Sequence, residues 1–399
     1  MRIRAFRNTR GLLAAFLASP FGALAAEPSL DGNSVPAIAA PSLDAALVEY
    51  RRKLKEYTHA RQQYGDEAAA YWRSVAEKRR LRNSKRRNNQ EIVLDDYVLT
   101  QPPVYGGPAK PVDPSAPVLE VVPPPSKYVP VVADFLKSAE EQFNFVPQRP
   151  QSEIEYKRAY AKVASAAGLT KEQVVRIYGF EAGGNGTYDV QAGLEYPTLG
   201  ARASTTALGY NQLLNTTSVE LMAEHGDQFL NVLKAKAAKL SGAPKKTLES
   251  KIDVLQRMVD FCRTVPDDWS EHQKLAKTPK GLGIHSMNLD IDIGPLLQTQ
   301  KLINSVIFAD QKGFKGILSA AELEMMNLTG DGNGFDMVTL AAELCDQVPT
   351  SNFFQKEGYE RNPVASRNNV VAKLLVATNA KMDTEVKLQG AKDLAAVFP

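Results

Sequence analysis

A glutamate near the end of a predicted helix is the strongest candidate acid or base in this sequence. Val174, Tyr178 and Glu181 are spaced i, i+4 and i+7, so they share one helix face and Glu181 extends an apolar stripe. The glycines of segment 183–186 end the helix and would let a bulky ligand approach closely. Desolvation and the negative end of the helix dipole both disfavour a carboxylate, so we expect a raised pKa for Glu181 and a role as general acid. The alternative is a glutamate that is exposed to solvent or ion-paired.

Two further segments carry amide and hydroxyl groups that suit a polar ligand. Residues 207–214 predict a turn that enters a buried helix, and they include Tyr210, Asn211 and Gln212. Residues 322–334 predict a helix, with Asn327 near its end, that runs into a loop rich in Gly, Asn and Asp. Each amide could bind a ligand, or it could cap a turn or form a hydrogen bond in the core.

In this order the three segments resemble the lytic transglycosylases of the lysozyme-like superfamily, over roughly residues 171–334. Those enzymes carry a catalytic Glu at a helix end, then an A-x-G-L-M-Q-type segment, then an A-Y-N-x-G-type segment. The counterparts here are Glu181, then Ala207–Gln212, then Met326 and Asn327 with Gly330.

The sequence departs from the family pattern at three places. Ala182 follows the glutamate where the family usually has Ser. The interval from Glu181 to Gln212 is longer than usual, so residues 188–203 look like an insertion. Met326 stands where the family usually has Tyr, which removes a hydroxyl group and puts the strength of catalysis in question more than the fold.

The resemblance implies an enzyme that cleaves peptidoglycan between N-acetylmuramic acid and N-acetylglucosamine. Glu181 would protonate the bridging oxygen and then act as base toward the muramoyl C6 hydroxyl, which closes a 1,6-anhydro ring. The acetamido group of the substrate can stabilise the cationic intermediate, so no second protein carboxylate is required.

The resemblance also suggests which residues contact the sugars. Gln212, Asn211 and Asn327 would bind acetamido or hydroxyl groups. Tyr178 and Tyr210 either line the sugar site or pack in the helical core.

Two other functions stay open at this point. Asp189 or Glu195, in the inserted stretch, could serve as a second carboxylate and make the protein a lysozyme-type hydrolase. The insertion and Met326 also fit a non-catalytic peptidoglycan-binding or scaffold protein on the same fold. No cofactor or metal is expected, because the histidines are scattered and segment 329–340 fits a calcium loop poorly, with Leu340 at the position that requires Glu.

The candidate residues need a helical framework to bring them together. The sequence from Ser152 onward predicts successive helices, among them Ser218–His225, Asp227–Leu240 and Asp336–Gln347, and it contains no alternation long enough for a sheet. We therefore expect a mainly α fold, and the resemblance implies that its all-α domain, residues 151–399, is lysozyme-like. Residues 27–100 predict a basic region of one or two long helices. Residues 101–150 predict a Pro-rich linker, interrupted by a short helix around Val131–Phe143.

The N-terminus predicts export. The chain has 399 residues, 44% of them hydrophobic, so a wholly disordered protein is excluded. Residues 1–26 predict a cleavable signal peptide, with four arginines before an apolar stretch too short to span a bilayer. No later segment predicts a membrane span, so we expect a protein of the periplasm or a secreted one. Cys262 and Cys345 could then form a disulfide or remain free thiols.

Export changes the charge balance. Loss of the signal arginines takes the formal net charge from +3 to −1. Residues 51–87 carry a net charge of +9, and the rest of the mature chain carries −10. This basic block predicts contact of residues 43–90 with an anionic envelope polymer or a protein partner, unless it is a solvated helix face. Nucleic acid is not expected outside the cytoplasm.

Overall fold

The computed structural model of the protein describes residues 43–116, 128–194 and 203–399. Within these ranges the chain is mainly helical, as the sequence predicts, and strand pairing is confined to three isolated bridges. The predicted signal peptide and Glu195 lie outside the described residues. No helix in the described ranges combines the length and the apolar character needed to cross a membrane.

The basic region forms one helix of 45 residues, α1 (Leu43–Arg87). The residues buried along it are Ala68, Val75 and Arg82, which recur every seven residues and so lie on one face. This face packs against the C-terminal part of the chain, where Tyr71 Oη lies 2.6 Å from the hydroxyl oxygen of Ser351. Residues 88–100 then follow, with a short 3₁₀ turn at Leu94–Asp96.

The described part of the Pro-rich segment lies along α1. Tyr105 packs edge-on against Tyr57 and Tyr64, with ring centroids 6.4 and 5.5 Å apart. The guanidinium of Arg61 lies 4.7 Å from the centroid of the Tyr105 ring. Proline holds this segment extended, so its side chains cover α1 without forming a helix of their own.

The remaining helices follow one another with short connections. The first eight are α2 (Val132–Phe143), α3 (Glu153–Ala166), α4 (Lys171–Ala182), α5 (Asn215–Ala237), α6 (Gly242–Cys262), α7 (Trp269–Ala276), α8 (Pro279–His285) and α9 (Gly294–Gln311). The last seven are α10 (Ala320–Thr329), α11 (Asp331–Val338), α12 (Ala342–Cys345), α13 (Lys356–Arg361), α14 (Pro363–Arg367), α15 (Val371–Glu385) and α16 (Gln389–Val397).

Three apolar clusters hold these helices together. The first contains side chains of α3, α4, α9, α10 and α16. The second contains side chains of α5, α6 and α8. The third joins the C-terminal helices α11, α14 and α15 to Tyr97 and to Trp72 of α1. The end of α4 and the middle of α10 meet at the first cluster, and this contact positions the candidate site.

Two predicted helix boundaries are wrong. α5 runs without a break through Gly226, where a Cβ atom would lie 2.3 Å from Cγ2 of Val259. The glycine therefore allows α5 to approach α6 closely, and it does not end a helix. The single helix expected at Asp336–Gln347 is instead α11 and α12, which are separated by residues 339–341.

Both cysteines are free thiols. Cys262 is buried in the second apolar cluster, and Cys345 is partly exposed at the end of α12. Burial raises the pKa of the Cys262 thiol, so this side chain behaves as a small apolar group.

Candidate active site

Glu181 lies in the last turn of α4, as the sequence predicts. Thr170 and Gln173 form a capping box at the start of this helix, and Gly183 ends it in the left-handed conformation with φ of 62°. Glu181 is partly exposed, whereas Phe180 before it is buried. Desolvation raises the pKa of the Glu181 carboxyl group above its ordinary value, in the expected direction.

Two residues of α10 contact this carboxyl group. Asn327 donates its Nδ2–H to Oε1 of Glu181 at 2.9 Å and also lies 3.4 Å from Oε2 of Glu324. Glu324 is fully buried, and its carboxyl group lies beside that of Glu181, since both approach the same Asn327 Nδ2 atom. Asn327 and Glu324 are three residues apart, so they occupy one face of α10 and meet the end of α4 together.

The two carboxyl groups must hold at least one proton between them to form a hydrogen bond. An ionised carboxylate only accepts hydrogen bonds, so two ionised groups facing each other would repel. Desolvation raises the pKa of Glu324 well above its ordinary value, and the neighbouring charge of Glu181 raises it further. Oε1 of Glu324 is buried and has no hydrogen-bond partner within the described residues. Glu324 is therefore the member that favours the neutral form.

Two lysines balance the negative charge of this pair. Lys301 of α9 lowers the pKa of both carboxyl groups, which opposes the larger effect of desolvation. Lys381 of α15 also lowers the pKa of Glu181. The Lys381 Nζ atom donates to the backbone carbonyl oxygen of Phe180 at 2.8 Å and lies 4.0 Å from the centroid of the Phe180 ring. The site thus joins α4, α9, α10 and α15.

A third carboxyl group with a raised pKa lies on α5. Burial, followed by the charge of Glu224, raises the pKa of Glu220 to about 7. The charge of Lys301 also lowers the pKa of Glu220 and of Asp331. This lysine therefore lies near these two carboxyl groups as well as the Glu181–Glu324 pair. Asp331 accepts a hydrogen bond from Ser305 Oγ at 2.6 Å.

The glycine-rich loop after α4 is in contact with the chain itself. A Cβ atom on Gly184 would lie 2.4 Å from the carbonyl oxygen of Glu385, at the end of α15. The Ala391 amide donates to the Gly184 carbonyl oxygen at 2.8 Å, and the Gly390 amide donates to Asn185 Oδ1 at 2.9 Å. We expected a ligand to approach these glycines closely. On this side of the loop, α15 and α16 occupy that position instead.

Asn211 and Gln212 form structural hydrogen bonds away from the carboxyl pair. The buried Asn211 amide donates to Tyr160 Oη and to the Gln298 carbonyl oxygen, both at 2.8 Å. Gln212 has a positive φ of 44°, and its amide donates to the carbonyl oxygen of Gly209 at 2.7 Å, which closes the turn. In these contacts both amides form hydrogen bonds within a turn or the core, which is the alternative to ligand binding given by the sequence.

Tyr178 and Tyr210 pack in the core. Both are fully buried, and their ring centroids are 4.7 Å apart. Tyr178 Oη donates to the carbonyl oxygen of Gly186 at 2.7 Å, and Tyr210 Oη donates to Glu153. Burial raises the pKa of the Glu153 carboxyl group, and the family motifs did not point to this residue.

Asp189, in the inserted stretch, and Met326 both have their surroundings defined by the structure. Asp189 is ion-paired with Arg149 and accepts a hydrogen bond from Thr187 Oγ1 at 2.7 Å, so its charge is already neutralised. Met326 is fully buried in the first apolar cluster and does not face the carboxyl pair. Gly334 packs against it, since a Cβ atom there would lie 2.3 Å from Cα of Met326.

Of the residues selected from the sequence, the structure brings Glu181 and Asn327 together. It places Gln212, Asn211, Tyr210 and Tyr178 in the neighbouring turn and core. Glu324 was missed, although it lies three residues before Asn327 on a predicted helix face, and that spacing was the available signal.

Comparison with known proteins adds no further assignment. No protein-family model, no curated protein and no solved structure matches this chain.

Proposed function

We propose that this protein is an exported peptidoglycan lytic transglycosylase in which Glu181 is the catalytic acid and base. The observation that carries the proposal is the state of the Glu181 carboxyl group. The residue is partly exposed at a helix end, desolvation raises the pKa of its carboxyl group, and Asn327 donates to that group at 2.9 Å. A group in this state can keep a proton near neutral pH and release it to a bound substrate.

In the proposed reaction Glu181 donates its proton to the oxygen between N-acetylmuramic acid and N-acetylglucosamine, and the bond from C1 to that oxygen breaks. The resulting Glu181 carboxylate then accepts the proton of the C6 hydroxyl while O6 attacks C1. The glutamate returns to its protonated form, and the product carries a 1,6-anhydro end. Lys301 and Lys381 support the intermediate stage, since their charges favour the ionised form of Glu181.

Purified sacculi provide the test. The protein should release muropeptides with anhydro ends, and Glu181→Gln should abolish this release while leaving the fold intact. Glu172→Gln is a matched control, because Glu172 is exposed in the first turn of the same helix. Products with reducing ends would instead indicate a lysozyme-type hydrolase. Failure of the unmodified protein and of Glu172→Gln to release any muropeptide would contradict an enzymatic function.

A non-catalytic peptidoglycan-binding protein is the second candidate. The burial of Met326 favours it, because this position offers no polar group to a substrate. Under this alternative, Glu181→Gln would bind sacculi as well as the unmodified protein does, and neither would change the muropeptide profile.

A further inference from the structure

The carboxyl pair Glu181–Glu324 is unequal in its access to solvent. Glu324 is fully buried, whereas Glu181 is partly exposed at the end of α4. Asn327 donates toward both groups and fixes their separation. Of the two residues, Glu181 is therefore the one with surface open to solvent.

We propose that Glu324 is a positioning residue that shares a proton with Glu181 and stays neutral while Glu181 exchanges its own proton with the substrate. This inference rests on the proposed function for its chemistry, but the sharing of a proton can be measured without any substrate. An ionised carboxylate only accepts hydrogen bonds, so a hydrogen bond between Glu181 and Glu324 requires a proton on one of them. Complete burial favours the neutral form of Glu324.

The proton balance of the proposed reaction is closed. Both glutamates begin protonated, and Glu181 gives its proton to the bridging oxygen as the C1–O bond breaks. The O–H of Glu324 then donates to the new Glu181 carboxylate and stabilises it. When O6 of the muramoyl residue attacks C1, its proton returns to Glu181, and Glu324 has lost nothing.

The groups that face the pair come from α10 itself and from two further helices. Lys301 of α9 acts on both carboxyl groups, Asn327 of α10 donates toward both, and Lys381 of α15 acts on Glu181. A nearby lysine charge lowers the pKa of a carboxyl group. We expect a two-step titration at this site to come from the two glutamates, whose carboxyl groups interact with each other.

The experiment is a carboxyl-carbon NMR titration of the full chain between pH 4 and 9, with Glu181 assigned by its loss in Glu181→Gln. In the unmodified protein, Glu181 should respond to two coupled protonation steps. Glu324→Gln should leave one step, because glutamine keeps a donor toward Glu181 and cannot ionise. Glu324→Met should raise the Glu181 midpoint above that of Glu324→Gln, because the donor to the carboxylate is lost. Glu172→Gln should change nothing.

Anhydro-product release gives a second readout. Glu324→Gln should keep release within about threefold of the unmodified protein, and Glu324→Met should lower it by roughly tenfold, the usual effect of losing one hydrogen bond to a charged group. A single Glu181 step with one midpoint in all of these proteins would overturn the inference, even if release of anhydro products were confirmed. Two coupled steps without any product would uphold the shared proton and contradict the proposed function instead. If Glu324→Met does not fold, the number of steps in Glu324→Gln still decides.

Discussion

Arg82 donates its Nε–H to Oδ2 of Asp336 at 2.9 Å, and the two residues are 254 positions apart in the sequence. Arg82 is fully buried, and its guanidinium lies 4.4 Å from the centroid of the Tyr97 ring. Its remaining donors bind the carbonyl oxygens of Asp96 and Asn352 at 2.9 and 3.2 Å. A residue near the end of the basic block is thus a core residue, which joins α1 to α11.

The first prediction concerns this ion pair. Arg82→Ala should lower the free energy of unfolding by about 3 kcal/mol, because it removes a fully buried ion-pair partner of Asp336 and leaves Arg86 as the remaining one. Arg80→Ala, an exposed neighbour on the same helix, should change it by about 0.5 kcal/mol or less. Chemical denaturation followed by circular dichroism measures both. Equal midpoints for the two variants would show that α1 does not contribute to the stability of the rest of the chain.

The second prediction concerns the proposed contact of α1 with anionic envelope polymer. Most of the basic residues at the end of α1 already bind protein groups: Lys78, Arg79, Arg82, Lys85 and Arg86. Arg80 and Arg87 remain exposed, as do Arg51 and Lys55. These five, out of the 13 basic residues in segment 51–87, are therefore engaged in contacts within the protein.

We accordingly expect only a modest, salt-dependent contribution of α1 to sacculus binding. Replacement of Arg51, Lys55, Arg80 and Arg87, four of the exposed basic residues, by Gln should weaken binding at low salt and have no effect at high salt. Co-sedimentation at two salt concentrations measures this. Deletion of residues 43–90 is unsuitable as a test, because it also removes Trp72 from the third apolar cluster and breaks the ion pair between Arg82 and Asp336. Unchanged binding at low salt would favour a protein partner instead.

Local signals in the sequence predicted much of the fold but little of its long-range pairing. The capping residues Thr170 and Ser319 mark the starts of α4 and α10, and the glycines after Glu181 mark the end of α4. These signals act over a few residues, so sequence reasoning can identify them. The burial of Arg82 depends on a carboxylate far along the chain, and composition indicated a solvated or polymer-binding charge there.

The same distinction applies to the candidate site. Glu181 was identified because its helix position alone predicts a raised pKa. Glu324 was not, since its importance comes from the contact between α10 and α4, which no local pattern records. Asn211 and Gln212 matched a ligand-binding motif, yet their hydrogen-bond partners are the Tyr160, Gln298 and Gly209 groups that the fold brings to them.

The third prediction concerns stability in acid. His285 is fully buried, with Nδ1 2.8 Å from Ser218 Oγ and Nε2 2.8 Å from the Thr206 carbonyl oxygen. Desolvation lowers its pKa from its ordinary 6.5 to about 4. The unfolded chain therefore takes up the proton first, and stability should fall as the pH drops from about 6.5 through about 4. His285→Gln should be less stable at pH 7 but should show a smaller acid decline in melting temperature. The exposed His59→Gln should leave the decline unchanged, and an equal decline in His285→Gln would exclude His285 as its cause.

The fourth prediction concerns Glu220, whose pKa is raised to about 7, first by burial. Here the folded state holds the proton more tightly than the unfolded chain, so stability should fall as the pH rises from about 4.5 through about 7. Glu220→Gln should therefore gain melting temperature relative to the unmodified protein at pH 8 and not at pH 4. In the sacculus assay this variant should still release anhydro products, because the proposed reaction uses Glu181 alone. Reducing-end products that disappear with Glu220→Gln would identify Glu220 as the second carboxylate of a hydrolase.

The last prediction separates the two glycines that follow Glu181. Gly183 and Gly184 both have positive φ, 62° and 66°, so alanine at either position costs about 1–2 kcal/mol of backbone strain. A Cβ atom on Gly183 meets nothing within 4 Å, whereas one on Gly184 would lie 2.4 Å from the Glu385 carbonyl oxygen and 3.1 Å from Cδ1 of Leu388. Gly184→Ala must therefore push the end of α4 away from α15, which also carries Lys381. We expect Gly184→Ala to lower both melting temperature and anhydro-product release more than Gly183→Ala does. Equal losses in the two variants would mean that backbone strain, and not the contact with α15, sets the position of Glu181.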